Sequence, residues 1–432
     1  MIAARLTGLA RYPGHAHVML LPERQQLAFA ERAPIRRVVY SAAHGGFAGQ
    51  PVPLGGGATI ANWLTAEWAR TRPFELELIT PAILGAGAPT ARDVVRFSER
   101  EYGDFCDRFE RAATARILEE DPRTTSVLVN DIAEAPDFHR LAAAGFHIVT
   151  IYHVDVIAYV AAIYLRGVLA PERLVRLHAR SGGWWPRILQ LIFAKQRASV
   201  ECSASVVVPS AGMREVLRRS YGQAPVSVVP WGAQPVPYTD AEIEVAAAGL
   251  RTRYGIWPGT PVLLTLSRLS PEKGHDILLN ELRRFPRRAV LIICGEPAFM
   301  RGERYTRKLH RLATKLNPVK VIFAGYATGL EKAAFFRLAD VYVFPSRHES
   351  YGLTLMEAIE AGCRVVSLDH LGAREIVRPE YGEVVTPGEL NSSLIRQSAL
   401  PRRPRGEAQP RFDQAAQRLA SLLTEPGQAS GS

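Results

Sequence analysis

The sequence predicts an α/β fold of two doubly wound, Rossmann-like domains facing a central cleft. Apolar runs of strand length alternate with segments of helical period through the first half of the chain. The pattern breaks at Pro230-Trp231-Gly232 and at the prolines of 235–237, and a second alternation then begins. The 432 residues are 47% hydrophobic and 22% charged, which excludes disorder throughout and fits two or three domains.

In the first alternation, strands are expected at 38–40, 76–79, 127–129, 148–152 and 206–208, each apolar enough to be buried on both faces of a parallel sheet. Helical period marks 58–70 and 97–119, and Asp240 is the expected N-cap of the helix that opens the second half. The second set of strands is 262–266, 290–294, 321–323, 341–344 and 365–368, with an amphipathic helix over 301–316. Beyond 390 the composition changes. Residues 401–406, Pro-Arg-Arg-Pro-Arg-Gly, read as a solvated basic loop, 412–423 as a short amphipathic helix, and 425–432 as a disordered end. The expected domains are therefore 1–235, 236–395 and a C-terminal segment 396–432.

Lys and Arg outnumber Asp and Glu by 53 to 42, a formal charge of +11. Such a balance favours nucleotide phosphates, anionic lipid or nucleic acid as partner, and no recognised RNA or DNA motif accompanies it, so nucleic acid is not expected. The first residues, broken by Arg5, Arg11 and Pro13, do not read as a signal peptide, and no window has the roughly 18 apolar residues of a membrane span, so a cytoplasmic protein is expected. Cys106, Cys202, Cys294 and Cys363 lack metal-ligand spacing and read as buried free thiols. Between Arg173 and Arg197, cations interleave with Trp184-Trp185 and with Ile188, Leu189 and Phe193. That stretch is compatible with peripheral contact at an anionic membrane face; the preferred reading is two ordinary helices joined by Ser181-Gly182-Gly183 with the tryptophans in the core.

The chemistry concentrates in two segments. Ser267-Arg268-Leu269-Ser270-Pro271-Glu272-Lys273-Gly274 follows a strand and enters a helix, so Arg268 and Lys273 stand where two cations grip a diphosphate, or else cap a turn as surface charges. Phe344 ends the next relevant strand, and Glu349, Gly352, Leu353 and Glu357 follow. Carboxylates accept from pairs of sugar hydroxyls, while the amides at Gly352 and Leu353, opening a helix, face phosphate oxygens. For Glu357 alone, simple complementarity to a helix N-terminus explains as much. Taken together these groups describe a nucleotide sugar.

Residues 264–377 resemble the donor-binding domain of the retaining glycosyltransferases of family 4 (glycosyl transferases group 1), in the order SRLSPEKGHDIL, ICGE, VIFAGY, ADVYVFPSRHESYGLTLMEAIEAGCRVVS and GAREIV. The resemblance implies the GT-B fold and a hexosyl transfer from a nucleotide-diphosphate sugar to a sugar, lipid-linked or small-molecule acceptor. It assigns Glu349 to the donor sugar, Glu357 to the ribose in an E-x7-E pattern, Arg268 and Lys273 to the diphosphate, and Tyr326 to the nucleobase region, where the ring either stacks on a base or belongs to the core. His153, at the end of its strand, would lie near the transferred sugar and acceptor, or instead pack as a cap through Asp155. His44-Gly45-Gly46 occupies the place of the family's glycine-rich loop, although a second run, Gly55-Gly56-Gly57, precedes the helix at 58 and is either a flexible turn or the working loop. Ser267 and Ser350 where glycine is common, Trp231-Gly232 for Asn-Gly and Arg374 for proline are departures that bear on donor or acceptor preference.

No Asp-x-Asp occurs, so no cofactor or metal is expected and cations and helix amides would neutralise the leaving group. The resemblance implies retention, with the leaving phosphate accepting the acceptor proton, and a hinge near 231–240 would close the site. The alternatives are a nucleotide-sugar epimerase or hydrolase of the same fold, and a non-catalytic binding protein.

Overall fold

The computed structural model describes residues 33–45, 55–157, 170–181, 185–234, 236–297, 302–406, 408 and 410–425. Gly46, residues 182–184 with Trp184, residues 1–32 and residues 426–432 lie outside the described residues.

Among the described residues two six-stranded sheets form, and every strand pairing within them is parallel. The first contains β1 (Arg37–Ser41), β2 (Glu75–Ile79), β3 (Thr125–Val129), β4 (His147–Ile151), β5 (Ser205–Val208) and β6 (Val226–Val228) in the order β2-β1-β3-β4-β5-β6. The second contains β7 (Val262–Leu266), β8 (Ala289–Cys294), β9 (Val319–Gly325), β10 (Val341–Phe344), β11 (Arg364–Leu368) and β12 (Gly382–Val385) in the order β12-β11-β10-β7-β8-β9.

The continuous apolar runs predicted this burial: every residue of β3, β4, β8 and β10 is buried. A Val, Leu or Ile taken from water in this way contributes about 1.5–3 kcal/mol, so a charge at Leu264 or Ile292, both fully buried, would unmake the second sheet. β2 departs from expectation. Its residues are mostly half-buried and Glu75 is exposed, because β2 is the edge of its sheet. β6 and β12 went unpredicted, since their short runs are interrupted by Ser227 and Glu383.

In the second sheet the chain leaves β7 towards β8 and β9, then crosses back to place β10 on the other flank of β7. The crevice at the carboxyl ends of β7 and β10 is the switch point of a doubly wound sheet, where ligands bind. The two segments singled out for chemistry are the loops that leave these two strands.

Capping follows local rules with one correction. The helix Asp240–Arg253 takes Thr239 as N-cap, not Asp240: the Thr239 hydroxyl accepts from the Glu242 amide and the Glu242 carboxylate accepts from the Thr239 amide. The 173–197 stretch is two helices, Pro171–Ser181 and Arg187–Cys202, with half-buried Trp185 tilted on His178 and Phe193. Among the described residues no helix is long and apolar enough to cross a membrane. The four cysteines are free, and Cys202 is half-buried rather than buried.

The C-terminal segment also differs from expectation. The basic loop is only partly solvated: Pro401, Pro404 and Gly406 are exposed, but Arg402 donates to the Ala361 carbonyl at 2.7 Å and Arg403 lies 4.3 Å from the Tyr381 ring centre. The helix Phe412–Thr424 then crosses to the first sheet, where Ser126 donates to the Leu423 carbonyl at 2.6 Å and Trp68 Nε1 to that of Ala416 at 3.2 Å. Its apolar stripe, with Phe412, Leu419 and Leu423 buried, closes the core of the N-terminal half.

Candidate active site

A cavity of about 1000 Å³ opens between the carboxyl edges of the two sheets, lined from the N-terminal side by Gly55, Gly57, His153 and Trp231. Its C-terminal wall carries Arg268, Lys273, Tyr326, Glu349, Gly352, Leu353 and Glu357. Nine of the predicted positions are described, and all but Gly45 line this one space.

The two loops of the C-terminal wall are locked together by backbone. Gly274, at φ +66°, passes so close to Pro345 that a methyl group there would lie 1.9 Å from the Pro345 carbonyl oxygen. That contact requires glycine on both conformational and steric grounds. Arg347 reinforces it, its amide donating to the Glu272 carbonyl at 2.8 Å and its guanidinium to the Pro271 carbonyl and the Asp276 carboxylate. Asp276 also accepts from Lys308 and Tyr305 at 2.8 Å each. The result sets Lys273 against Glu349 in an ion pair. Burial pushes the Glu349 carboxyl up, but the Lys273 ammonium, which also donates to it, overrides this and leaves the group below the usual carboxylate range.

Glu357 sits in the helix Leu353–Glu360, which begins at Gly352 with φ +118°. Lys332, in the helix Gly329–Leu338, donates to Glu357 Oε1 at 2.6 Å, while Glu357 Oε2 is buried with no hydrogen-bond partner. A buried carboxylate oxygen left unmatched costs about 1–3 kcal/mol or more, so it marks a place for a ligand hydroxyl. Lys332 was missed by sequence reading: it lies 25 residues from its partner and belongs to no phosphate-binding pattern. Tyr326 is 38% exposed, which removes the core alternative.

On the N-terminal wall the two glycine runs separate. Gly45 packs on Ala61, whose Cβ would lie 2.9 Å from an added methyl, and it does not line the cavity; Gly46 is outside the described residues. Gly45 therefore serves close packing of the first strand's loop on the helix Gly56–Thr71. Gly55, Gly56 and Gly57 all reach the site: added methyls would lie 3.7 Å from the Arg268 guanidinium, 3.5 Å from Leu353 and 3.1 Å from the His153 ring. The helix that Asp155 would cap lies mostly outside the described residues; His153 Nε2 meets Asn130 Oδ1 at 2.9 Å and its ring packs on Trp231 with centres 5.8 Å apart. Burial lowers its pKa to about 4, against the pull of Asp131 and with a push from His44. Among the described residues no group of three or more His, Cys, Asp or Glu side chains is arranged to hold a metal ion.

Residues 250–402 match the family of glycosyl transferases group 1. A D-inositol 3-phosphate glycosyltransferase of Streptomyces bingchenggensis (strain BCW-1) is 32% identical over 191 residues, 42% of this chain and 41% of the relative. A GDP-mannose-dependent alpha-(1-6)-phosphatidylinositol monomannoside mannosyltransferase of Mycolicibacterium smegmatis (strain ATCC 700084 / mc(2)155) is 35% identical over 144 residues, 31% of this chain and 36% of that one. The chain thus spans less than half the length of the curated relatives it matches. Two solved structures share the whole architecture. A sucrose-phosphate synthase from Thermosynechococcus elongatus superposes with TM-score 0.64 at 18% identity over 90% of this chain and 95% of that one. Anabaena HepE in complex with UDP-glucose does so with TM-score 0.53 at 17% identity, over 91% and 96%. The chain has the GT-B fold, and within it residues 250–402 are similar to the glycosyl transferases group 1 family.

Proposed function

We propose that the protein moves a hexosyl unit from a nucleotide-diphosphate sugar to an acceptor hydroxyl, with retention and without a metal. The observation that carries this reading is the Lys273–Glu349 pair at the switch point, on the same cavity wall as Arg268 and opposite the Gly55–Gly57 turn. A diphosphate offers Lys273 and Arg268 a charge-assisted partner, and the sugar hydroxyls offer Glu349 theirs, so ligand binding exchanges one set of strong contacts for another. The unmatched oxygen of Glu357 supports a ribose hydroxyl beside Lys332. Exposed Tyr326 offers a face for the base.

Two cations and the amides at Gly352 and Leu353, both of which line the cavity, supply the charge stabilisation that a metal gives elsewhere. With these groups holding the departing diphosphate, its oxygen accepts the proton of the incoming hydroxyl on the same face, which yields retention. The relatives named for GDP-mannose dependence and for D-inositol 3-phosphate support a nucleotide-sugar donor and a polyol, sugar or lipid-linked acceptor.

The test is release of nucleoside diphosphate from a panel of nucleotide sugars with and without acceptor, in buffer and in EDTA. Acceptor-dependent release that survives EDTA is expected. Release or isomerisation without acceptor would replace the reading by a hydrolase or epimerase, and loss in EDTA with rescue by manganese would remove the metal-free part. A thermal-shift screen identifies the donor, since a ligand at 100 times its Kd stabilises by about 2.7 kcal/mol.

A further inference from the structure

Asn130, the residue following β3, makes three contacts at the N-terminal wall. Its Oδ1 receives the Tyr40 hydroxyl at 2.6 Å and His153 Nε2 at 2.9 Å, and its Nδ2 faces the Gly57 carbonyl at 3.4 Å. The Gly57 carbonyl has no proton to give, so the nitrogen of the amide must be the atom that faces it. The oxygen is then the atom at His153, and an oxygen accepts, so Nε2 must carry the proton.

We propose that Asn130 is the positioning residue that holds His153 as its Nε2–H tautomer, leaving Nδ1 as the lone-pair atom that accepts a hydrogen bond from a hydroxyl in the cavity. The inference rests on the reading that His153 faces the transferred sugar and the acceptor. The surroundings keep the ring neutral. Among the described residues the ionisable groups acting on it are Asp131, which would favour a cation, and His44, which opposes one and is itself held by Asp131 at 3.3 Å and Glu134 at 3.0 Å. Trp231 on the ring face and Gly57 at its edge carry no charge. Burial decides the balance, and the imidazole stays uncharged at neutral pH.

Asn130 also ties the histidine to the glycine turn. The same amide that orients the ring holds the carbonyl of Gly57, whose missing side chain makes room for that ring. Histidine, turn and Tyr40 are therefore set by one buried amide drawn from the central strands of the sheet.

The experiment records nitrogen-15 spectra of the full chain labelled at histidine, with the His153 signals identified by their loss in His153→Gln. In the wild type the Nε2–H pattern is expected for His153 from pH 5.5 to 8; an Nδ1–H pattern, or titration near pH 6.5, overturns the proposal without any variant. Asn130→Asp keeps the shape, removes the donor to Gly57 and puts a negative charge on the ring's N–H. It should move His153 titration upward and lower kcat at least tenfold at pH 6, with recovery as pH rises to 8 and donor KM within threefold of wild type. An unchanged His153 spectrum and an unchanged kcat profile in Asn130→Asp overturn the proposal. The spectra need no turnover, so a chain that transfers no sugar still reports the tautomer, and the two readings fail separately.

Discussion

On the C-terminal wall of the cavity, Glu349 and Glu357 each carry a lysine partner, Lys273 and Lys332, drawn from neighbouring loops and helices of one sheet. On the N-terminal wall, His153 is held by the neutral amide of Asn130, and behind that wall the charged groups His44, Asp131 and Glu134 are paired with one another. One wall thus holds charges that an anionic, hydroxylated ligand can take over, and the other holds an uncharged acceptor at a fixed angle. The wall with paired charges is also the one inside the family match of 250–402. On the proposed function, a diphosphate and a ribose would impose the same cations and carboxylates at the same spacing whatever the acceptor, whereas the facing wall would have no such common partner.

Acidification is the strongest way to stress this contrast, because it loads the neutral histidines. Burial lowers His153 and His370 to about 4 and His275 to about 3, so below pH 6.5 the unfolded chain binds protons that the native one refuses. Stability then falls with pH through that window, by up to about 1.4 kcal/mol per pH unit for each histidine. His44 runs the other way: burial opposes its cation, but Asp131 and Glu134 raise its pKa well above 6.5, so its contribution is complete below pH 6.5 and disappears only as pH rises through the native value. Denaturant midpoints measured from pH 7.5 to 4.5 should therefore drop steadily below 6.5; a flat profile to pH 5 would break the description of the histidines as neutral and buried.

Gly274→Ala attacks the charged wall by geometry alone. Its added methyl meets the Pro345 carbonyl oxygen at a φ of +66°, and a cost of roughly 2–4 kcal/mol is expected, with loss of nucleotide binding as Lys273 and Glu349 part. Wild-type melting temperature would show that the loops are not locked there.

Glu349→Gln keeps the shape and removes the charge. A contact made to developing charge in the transition state predicts turnover lower by at least tenfold, about 1.4 kcal/mol, in steady-state kinetics. Unchanged turnover would take Glu349 out of the chemistry. The smallest effect belongs to Glu357→Gln, where the donor KM should rise while kcat stays near wild type, because a ribose contact is alike in ground and transition states. A lowered kcat with unchanged KM would assign Glu357 to the reacting centre instead.

The continuous apolar strands and the order of the charged loops were legible in the sequence, because burial on both faces and ligand chemistry act through residues close together in the chain. Arg268 to Lys273 and Glu349 to Glu357 each fall within one loop and the start of one helix, so their spacing is a local property. The partners were not legible. Lys332 meets Glu357 across 25 residues, Asn130 meets His153 across 23, and Lys273 meets Glu349 across 76. Each of these pairs depends on which strands lie side by side, and the crossover that seats β10 beside β7 leaves no periodicity to read. The choice between the glycine runs was of the same kind: Gly45 and Gly55 to Gly57 look alike as sequence, and only the packing of Ala61, Arg268 and His153 against them tells a close helix contact from a cavity wall. The last helix shows the limit most plainly. Its amphipathic stripe determined that it would pack, but the hydrogen bonds of Ser126 and Trp68 to its backbone, far away in sequence, decided that it would pack on the first sheet.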